Sequence, residues 1–252
     1  MTIYRFLRIK IIFILLFCLT YNSAKSQNDG IKPQIWSNAY VAWNINDKFV
    51  IRNALSYNVL LSDELPWNEI SYTVNGVAKV HKFMEVSAGF YMARVLQTKS
   101  LRSFEYRPSI GFRIFSNNKK RWAISNLTRV ELRKFVYSNQ STDLAWRIRN
   151  LTHFALSLNK KSLQYDNNLY AFGLLEFFHN FNQEVEERFF DIFKWKLGLG
   201  YRLNYNWRFD IGVIDQDSRN TISEPTNLPG NIITNYIIEW GVAYIIPAKK
   251  RK

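Results

Sequence analysis

The chain has 252 residues, which is enough for one sizeable domain or two small ones. It combines 16% aromatic with 21% charged residues at a mean hydropathy of −0.22. This composition favours a protein with one apolar and one solvated surface over a soluble enzyme, which would bury its aromatic rings. The formal net charge of +14 comes without a zinc-finger spacing, an RNP-like motif or a basic helix, so the sequence argues against nucleic-acid binding.

Residues 1–26 are typical of a signal peptide. A basic segment precedes an uninterrupted apolar run at residues 11–19, which is too short to cross a bilayer as a helix of about 20 residues. Ala24 and Ser26 provide the small residues of a cleavage site, which predicts Gln27 as the new N-terminus. An uncleaved anchor is the alternative. Four basic residues belong to this leader, so 30 basic and 20 acidic residues remain in the mature chain.

The single cysteine, Cys18, lies within the apolar part of the leader, so the sequence predicts no disulfide framework for the mature chain. The bulky Phe17 before it disfavours a lipidation site. After the leader no stretch of 18 apolar residues occurs, and the remaining way to span a membrane is a closed β-barrel, which pairs all its backbone polar groups internally.

The mature chain is rich in long segments with alternating character. In 102–114 the apolar residues occupy the even-numbered positions and most polar or charged residues the odd ones, and 193–203 alternates likewise with its apolar residues at the odd-numbered positions. These segments exceed the five or six residues common in soluble strands, and no amphipathic helix of convincing length separates them. The predicted strands are 34–44, 48–59, 69–80, 83–95, 102–115, 121–135, 143–158, 167–179, 190–203, 206–216 and 231–246.

The connections between these segments alternate between short and long ones, which is typical of outer-membrane barrels with short periplasmic turns and long external loops. The short set is 45–48, 81–82, 117–120, 159–161 and 204–206, and the long set lies around 60–68, 96–101, 136–142, 180–189 and 217–230. The expected interfacial aromatic residues are Trp67, Trp122, Tyr137, Trp146, Tyr201 and Trp207. Eleven segments conflict with the even strand number of bacterial single-chain barrels, so the sequence favours twelve strands, with 27–33 adding one, or ten.

The last segment resembles the C-terminal signal that the barrel-assembly machinery reads. Its key positions are Glu239, Gly241, Tyr244 and Ile246. Signals of this kind normally end the chain, whereas here residues 247–252 follow as a short basic tail, which we expect to be periplasmic. The predicted organisation is therefore a signal peptide at 1–26, an all-β transmembrane antiparallel barrel at 27–246 and the tail at 247–252.

Charged residues recur at the positions that would face the interior of this barrel. They are Glu105, Arg107, Arg113, Arg129, Glu131, Arg133, Arg147, Arg149, Glu176, Lys194, Lys196, Arg202, Arg208, Asp210 and Glu239. A barrel of ten to twelve strands has a narrow lumen, so opposed charges there are expected to pair and fill it. The alternative that the arginine excess favours is a small selective pore for anionic solutes.

An enzymatic role, such as that of an outer-membrane lipid hydrolase, is the weaker alternative. His153 and Ser157 share a strand face, but about 13 Å between their Cβ atoms is too far for a hydrogen bond, which leaves a serine on an adjacent strand as the alternative partner. No metal-ligand spacing occurs, and we expect neither a cofactor nor a catalytic residue. The expected partners are outer-membrane lipid and, during biogenesis, the assembly machinery, with the protein a monomer.

The whole mature chain resembles the domain of unknown function family 2490, a set of predicted outer-membrane barrels. The resemblance depends on the order of several short motifs rather than on one signature. These are Ile35–Trp36, Leu127–Arg133, Trp146–Arg149, Leu175–Phe178 and Leu197–Leu203. It implies a fold and an outer-membrane location and carries no known activity. A soluble β-sandwich or lipocalin-like periplasmic protein is the alternative fold.

Overall fold

The computed structural model describes residues 33–62, 66–116, 120–181, 185–222 and 232–248. The predicted signal peptide and its cleavage site lie outside the described residues, as does most of the tail. No helix among the described residues is long and apolar enough to cross a membrane.

Eleven strands run through the described residues. They are β1 (Gln34–Asn44), β2 (Phe49–Leu60), β3 (Asn68–His81), β4 (Met84–Leu96), β5 (Arg102–Phe115), β6 (Trp122–Tyr137), β7 (Thr142–Ser157), β8 (Asn168–Asn180), β9 (Phe190–Arg202), β10 (Trp207–Arg219) and β11 (Ile232–Ile246). Each strand pairs antiparallel with its neighbour in the chain, and β1 pairs with β11 to close the barrel. The all-β barrel predicted from the alternation is confirmed.

The predicted number of twelve strands, or ten, is wrong for the described barrel. The barrel closes with eleven because β1 and β11 run in the same direction, with Gln34 opposite Ile237 and Trp43 opposite Ile246. An odd number of strands that otherwise alternate in direction leaves one neighbouring pair parallel, and a parallel ladder satisfies the backbone groups as an antiparallel one does. Most of the predicted extra strand, 27–33, lies outside the described residues.

The connections divide between the two ends of the barrel. The β1–β2, β3–β4, β5–β6, β7–β8 and β9–β10 connections leave the strands at one end, the short-turn mouth, and the β2–β3, β4–β5, β6–β7, β8–β9 and β10–β11 connections leave them at the other, the long-loop mouth. The main departure is 158–167, where a tight turn at 159–161 is predicted. Asn159 explains it, because its side chain donates to the carbonyl oxygen of Asn167 and accepts from the amide of Leu169, which holds a wider loop.

The outer face of the barrel is mainly apolar, apart from a hydrogen-bonded polar group on β6 and β7 formed by Asn126, Thr128, Asn150 and Thr152. Large hydrophobic side chains project from it, such as Ile110, Ile211 and Phe177, which are 65%, 58% and 56% exposed. On the described strands, charged side chains at outward positions occur only toward the long-loop mouth. They are Arg94, Arg102, Lys134, Asp215, Asp217 and Arg219. The rest of the outer face forms an uncharged band that surrounds the barrel.

The predicted ring of interfacial aromatic residues is partly correct. Trp122, Trp146 and Trp207 are 40–45% exposed on the outer face, and Tyr201 is 37% exposed there. Trp67 and Tyr137, in contrast, are buried at 5% and 3%. Both belong to apolar clusters at the long-loop mouth, so their rings cover the end of the lumen instead of facing outward.

Glycine at position 198 lets the ring of Phe172 lie flat against the inner wall. A Cβ added at Gly198 would stand 2.6 Å from the carbonyl oxygen of Ile211 and would also strike that ring. We expect Gly198→Ala to lower the free energy of unfolding by about 1–3 kcal/mol, because the backbone of the neighbouring strand has to shift. Urea unfolding of the refolded protein measures this. Gly173→Ala is the matched control, since its nearest atom is 3.4 Å away; equal losses in both variants would contradict the explanation.

Candidate functional site in the barrel lumen

All fifteen charged residues predicted to face the interior lie at inward positions. They alternate along β5 to β11 with the outward apolar residues, and most are buried or half-buried. The structure brings nine of them into one continuous set of ion pairs, which we call the ionic network. Its members from the predicted set are Glu105, Arg107, Arg129, Glu131, Arg133, Arg147, Arg149, Glu176 and Lys194.

Glu131 on β6 is the centre of the ionic network. Its carboxylate, 1% exposed, lies 2.7 Å from a terminal nitrogen of Arg147 and 3.2 Å from one of Arg149. Arg129 and Arg107 approach it at 3.6 and 3.8 Å. The register explains this convergence, because Glu131 is directly opposite Arg147 on β7, with Arg149 one pleat further along the same inward face. Four cations share one buried carboxylate.

Two further carboxylates extend the network around the wall. Glu105 pairs with Arg107 and Arg133, both at 2.7 Å. Glu176 pairs with Arg149 at 2.5 Å and with Lys194 at 3.1 Å. Buried charges are tolerated when they are paired and hydrogen-bonded, as these are. The paired side chains fill the lumen along β5–β9.

Aromatic rings inside the lumen lie against the cations of the ionic network. Phe178 lies within about 5 Å of Arg147, Arg149 and Lys194. Tyr91 stacks under Arg107 at 4.1 Å. These rings occupy inward positions of their strands, so a ring in an alternating segment does not by itself mark the lipid-facing side.

The remaining predicted residues lie outside the ionic network. Lys196 pairs with Glu239 at 3.1 Å, which connects β9 to β11, and Asp210 accepts a hydrogen bond from the Tyr170 hydroxyl at 2.5 Å. Arg113, Arg202 and Arg208 lie toward the short-turn mouth.

Sequence reasoning missed several inward ionic residues. Arg52 on β2 and Glu85 on β4 form a bidentate pair at 3.0 Å. Their alternation with apolar neighbours was available as a signal in the sequence. Glu187 and Asp191 join the network through Arg133 at 3.0 Å and Arg147 at 3.7 Å. Glu187 comes from a loop and Asp191 from an irregular strand end, and periodicity does not report on either.

A cavity of about 650 Å³ remains beside the ionic network. Its lining comes mainly from β1–β3 and β8–β11, and includes Trp36, Ser71, Thr73 and Lys196. Polar and aromatic side chains mix in this wall. The cavity is large enough for a small molecule. The lumen is therefore filled by the ionic network on one side and contains this cavity on the other.

Residues 185–189 of the β8–β9 connection, which we call the mouth segment, lie across the long-loop mouth. Phe189 packs edge-on against Trp67, with ring centroids 4.9 Å apart, in a buried cluster with the β2 and β4 walls. Val185 is buried at the other side with Phe135 and Tyr137 of β6. The segment therefore contacts two separate parts of the barrel wall, one at β2 and β4 and one at β6.

Polar contacts hold the mouth segment in place. Arg188 donates from Nε to the carbonyl oxygen of Gln97 at 2.8 Å, and the amide of Glu187 donates to the Thr221 hydroxyl at 2.8 Å. Glu187 also pairs with Arg133 in the lumen. Burial raises the pKa of the Glu187 carboxyl, although the neighbouring Arg133 guanidinium opposes that shift. The segment is thus bonded to the ionic network as well as to the rim.

His153, the histidine considered for catalysis, has no hydrogen bond to a serine among the described residues. The Ser157 hydroxyl donates to Asn168 Oδ1 at 2.7 Å and serves the β7–β8 loop. Ser125 lies directly opposite His153 on β6, yet no hydrogen bond joins the two side chains, and the imidazole stacks on Phe172 with ring centroids 6.1 Å apart. Across the described ranges no group of three or more His, Cys, Asp or Glu side chains is arranged to hold a metal ion.

The four residues of the predicted assembly signal lie on β11. Glu239 and Gly241 face the lumen, whereas Tyr244 and Ile246 face outward. The Tyr244 ring packs against Trp207 of β10, with centroids 4.6 Å apart. Recognition of this strand by the assembly machinery stays a prediction.

Comparison with known proteins places the chain in a family. The NanC porin, solved in a rhombohedral crystal form, is similar to it with a TM-score of 0.48 and 10% sequence identity, over 85% of this chain and 99% of that chain. No curated protein matches. The family described as a protein of unknown function, DUF2490, matches residues 33–226. Because this match covers well over half of the chain and agrees with the motifs seen in the sequence, the protein belongs to the DUF2490 family.

Proposed function

We propose that the protein is an outer-membrane β-barrel whose lumen is filled and covered, so that it acts as a structural or surface-binding component of the bacterial envelope. The observation that carries the proposal is the distribution of charge. Most charged side chains of the strands face the lumen, while the outer face carries an uncharged band that is rich in large apolar residues.

The outer face supports insertion into lipid. Soluble monomers rarely expose contiguous apolar patches larger than a few hundred Å², whereas each of the eleven described strands exposes large apolar side chains here. The strands have 11–16 residues, which meets the length of about 9–11 that a tilted membrane strand requires. The surplus length accounts for the outward charges near the long-loop mouth, which would project beyond the hydrocarbon.

The interior supports a closed barrel rather than a diffusion pore. Arg133, Arg147 and Glu131 are each 1% exposed, so the ionic network leaves no passage on its side of the lumen. The mouth segment covers the other route with buried apolar contacts to two walls. Moving either element costs buried ion pairs or buried apolar area, which favours the closed arrangement.

A small selective pore for anionic solutes is the second candidate function. The cavity of about 650 Å³ beside the network favours it, since Lys194, Lys196 and Arg202 contribute to its lining. Cations in a pore wall attract anions, although carboxylates such as Glu176 and Glu239 share this lining and pair with Lys194 and Lys196. Conduction would require the mouth segment to move.

Site-directed spin labels test the membrane orientation. We expect a label at Ile211→Cys, on the outer face of β10, to be accessible to oxygen in lipid and protected from a water-soluble nickel reagent. A label at Thr73→Cys, which lines the cavity, is the matched inward control and should show low oxygen accessibility. Accessibility of the Ile211 label to the nickel reagent in refolded, bilayer-inserted protein would rule out the proposed orientation.

A further inference from the structure

The short-turn mouth contains a second cavity, of about 580 Å³, which we call the vestibule. Five cationic side chains and one carboxylate line it, together with polar and apolar residues. They are Arg52, Lys79, Lys82, Arg113, Arg208 and Glu85. This imbalance contrasts with the ionic network deeper in the lumen, where five carboxylates, counting Glu187 and Asp191, pair with six cations.

The single carboxylate of the vestibule is already occupied. Glu85 binds Arg52 through both oxygens at 3.0 Å, and Arg113 reaches it only at 3.8 Å. In the register of the sheet Glu85 lies between Lys79 on β3 and Arg113 on β5, so it faces three cations in all. Among the described residues Lys79 has no ion pair and Arg113 has only the contact of 3.8 Å with Glu85.

Arg208 enters the vestibule from the opposite wall. It lies directly across from Arg202 on β9, a like-charge pair that the exposed Asp166 compensates only from the Arg202 side, at 3.8 Å. Arg208 has neither an ion pair nor a hydrogen bond among the described residues, and its Nε is buried without a partner. The Nε of Arg113 is buried without a partner as well. Buried unsatisfied donors on a cation are costly, and they point to a ligand that supplies acceptors.

We propose that the vestibule binds a phosphate-bearing ligand between Arg113 and Arg208. A guanidinium presents a planar fork of donors that matches phosphate oxygens, and two such forks from opposite walls would hold a multiply charged oxyanion. A volume of about 580 Å³ fits a ligand larger than free phosphate, such as a phosphorylated small molecule or the headgroup of an anionic phospholipid. The site does not depend on whether the lumen conducts.

Calorimetric titration of the full refolded protein in a non-ionic detergent, with inorganic pyrophosphate as the probe, tests the proposal. We expect one saturable site in the wild type. Arg113→Gln and Arg208→Gln should each weaken binding about tenfold or more, because each removes charge-assisted hydrogen bonds. Lys79→Gln, at the exposed edge of the vestibule, should weaken it less and provides a variant with little effect on folding.

The matched control is Arg94→Gln, which removes an exposed arginine on the outer face near the long-loop mouth. Retained affinity in this control together with loss in the vestibule variants supports the site. Competition by phosphatidylglycerol in nanodiscs, and not by phosphatidylcholine, identifies a lipid headgroup as the source, whereas competition by glycerol phosphate alone identifies a free solute. Absence of saturable pyrophosphate binding, or equal loss in Arg94→Gln, overturns the proposal.

Discussion

Replacing Glu131 by glutamine is expected to lower the free energy of unfolding by about 3–5 kcal/mol. The substitution keeps the shape of the side chain and removes the negative charge that Arg147 and Arg149 approach at 2.7 and 3.2 Å. Arg129 and Arg107 lose the same partner. Because these guanidinium groups sit away from water, the variant leaves buried positive charges without compensation, which costs more than a surface ion pair contributes.

Urea unfolding of the refolded barrel, followed by tryptophan fluorescence, measures this loss. Glu85→Gln is the control, because Glu85 also holds two arginines but its main partner, Arg52, has a side chain that is 35% exposed. Solvent screening should limit the loss there to about 1 kcal/mol or less. If Glu131→Gln were no more destabilising than Glu85→Gln, the ionic network would not be the stabilising element of the lumen.

Replacing residues 181–189 by a two-residue Asn-Gly turn is expected to convert a silent barrel into a conducting one. The change removes the mouth segment, including the Phe189 ring that packs on Trp67 and the Glu187 carboxylate that pairs with Arg133. An Asn-Gly turn suits a hairpin between β8 and β9, so the strands should keep their pairing. The cavity beside the ionic network would then meet solvent at the long-loop mouth.

Planar-bilayer recordings of purified, refolded protein compare the two forms. The wild type should give no reproducible current steps, and the shortened variant should give discrete ones. Phe181→Ala is the control, since this ring belongs to the same connection and is 55% exposed; it should remain silent. Regular steps from the wild type would favour the pore over the closed barrel, and silence of the shortened variant would show that the mouth segment is not the barrier.

Much of the fold could be predicted because every second residue of a barrel strand faces outward and is usually apolar, while the residues between them face the lumen and are often polar. The segments predicted at 102–115 and 190–203 differ from β5 and β9 by at most one residue at an end. The closure could not be predicted in the same way. Whether β1 and β11 meet in parallel depends on pairing between residues about 200 positions apart, which leaves no trace in the local alternation.

For the lumen as well, local alternation predicted part of the structure, and contacts between distant residues decided the rest. Alternation was enough to place residues such as Glu131 and Arg147 inside, since their neighbours are apolar and face out. It could not identify the mouth segment, because Glu187 and Phe189 lie in a connection whose path depends on tertiary contacts. Trp67 and Tyr137 were misplaced for a related reason: rings at strand ends suit either a lipid interface or a plug.

The parallel contact between β1 and β11 gives the barrel a seam unlike its other ten. Parallel ladders have slanted hydrogen bonds and are slightly less stable per residue than antiparallel ones, so this is where the wall would part first. Polar side chains reinforce it from within: Glu239 on β11 accepts a hydrogen bond from Asn38 on β1 at 2.8 Å while it holds Lys196 on β9. Because β1 and β11 are parallel, β1 begins at the long-loop mouth and β11 ends at the short-turn mouth. Epitopes joined ahead of Gln34 and after Ile246 would therefore lie on opposite sides of a bilayer.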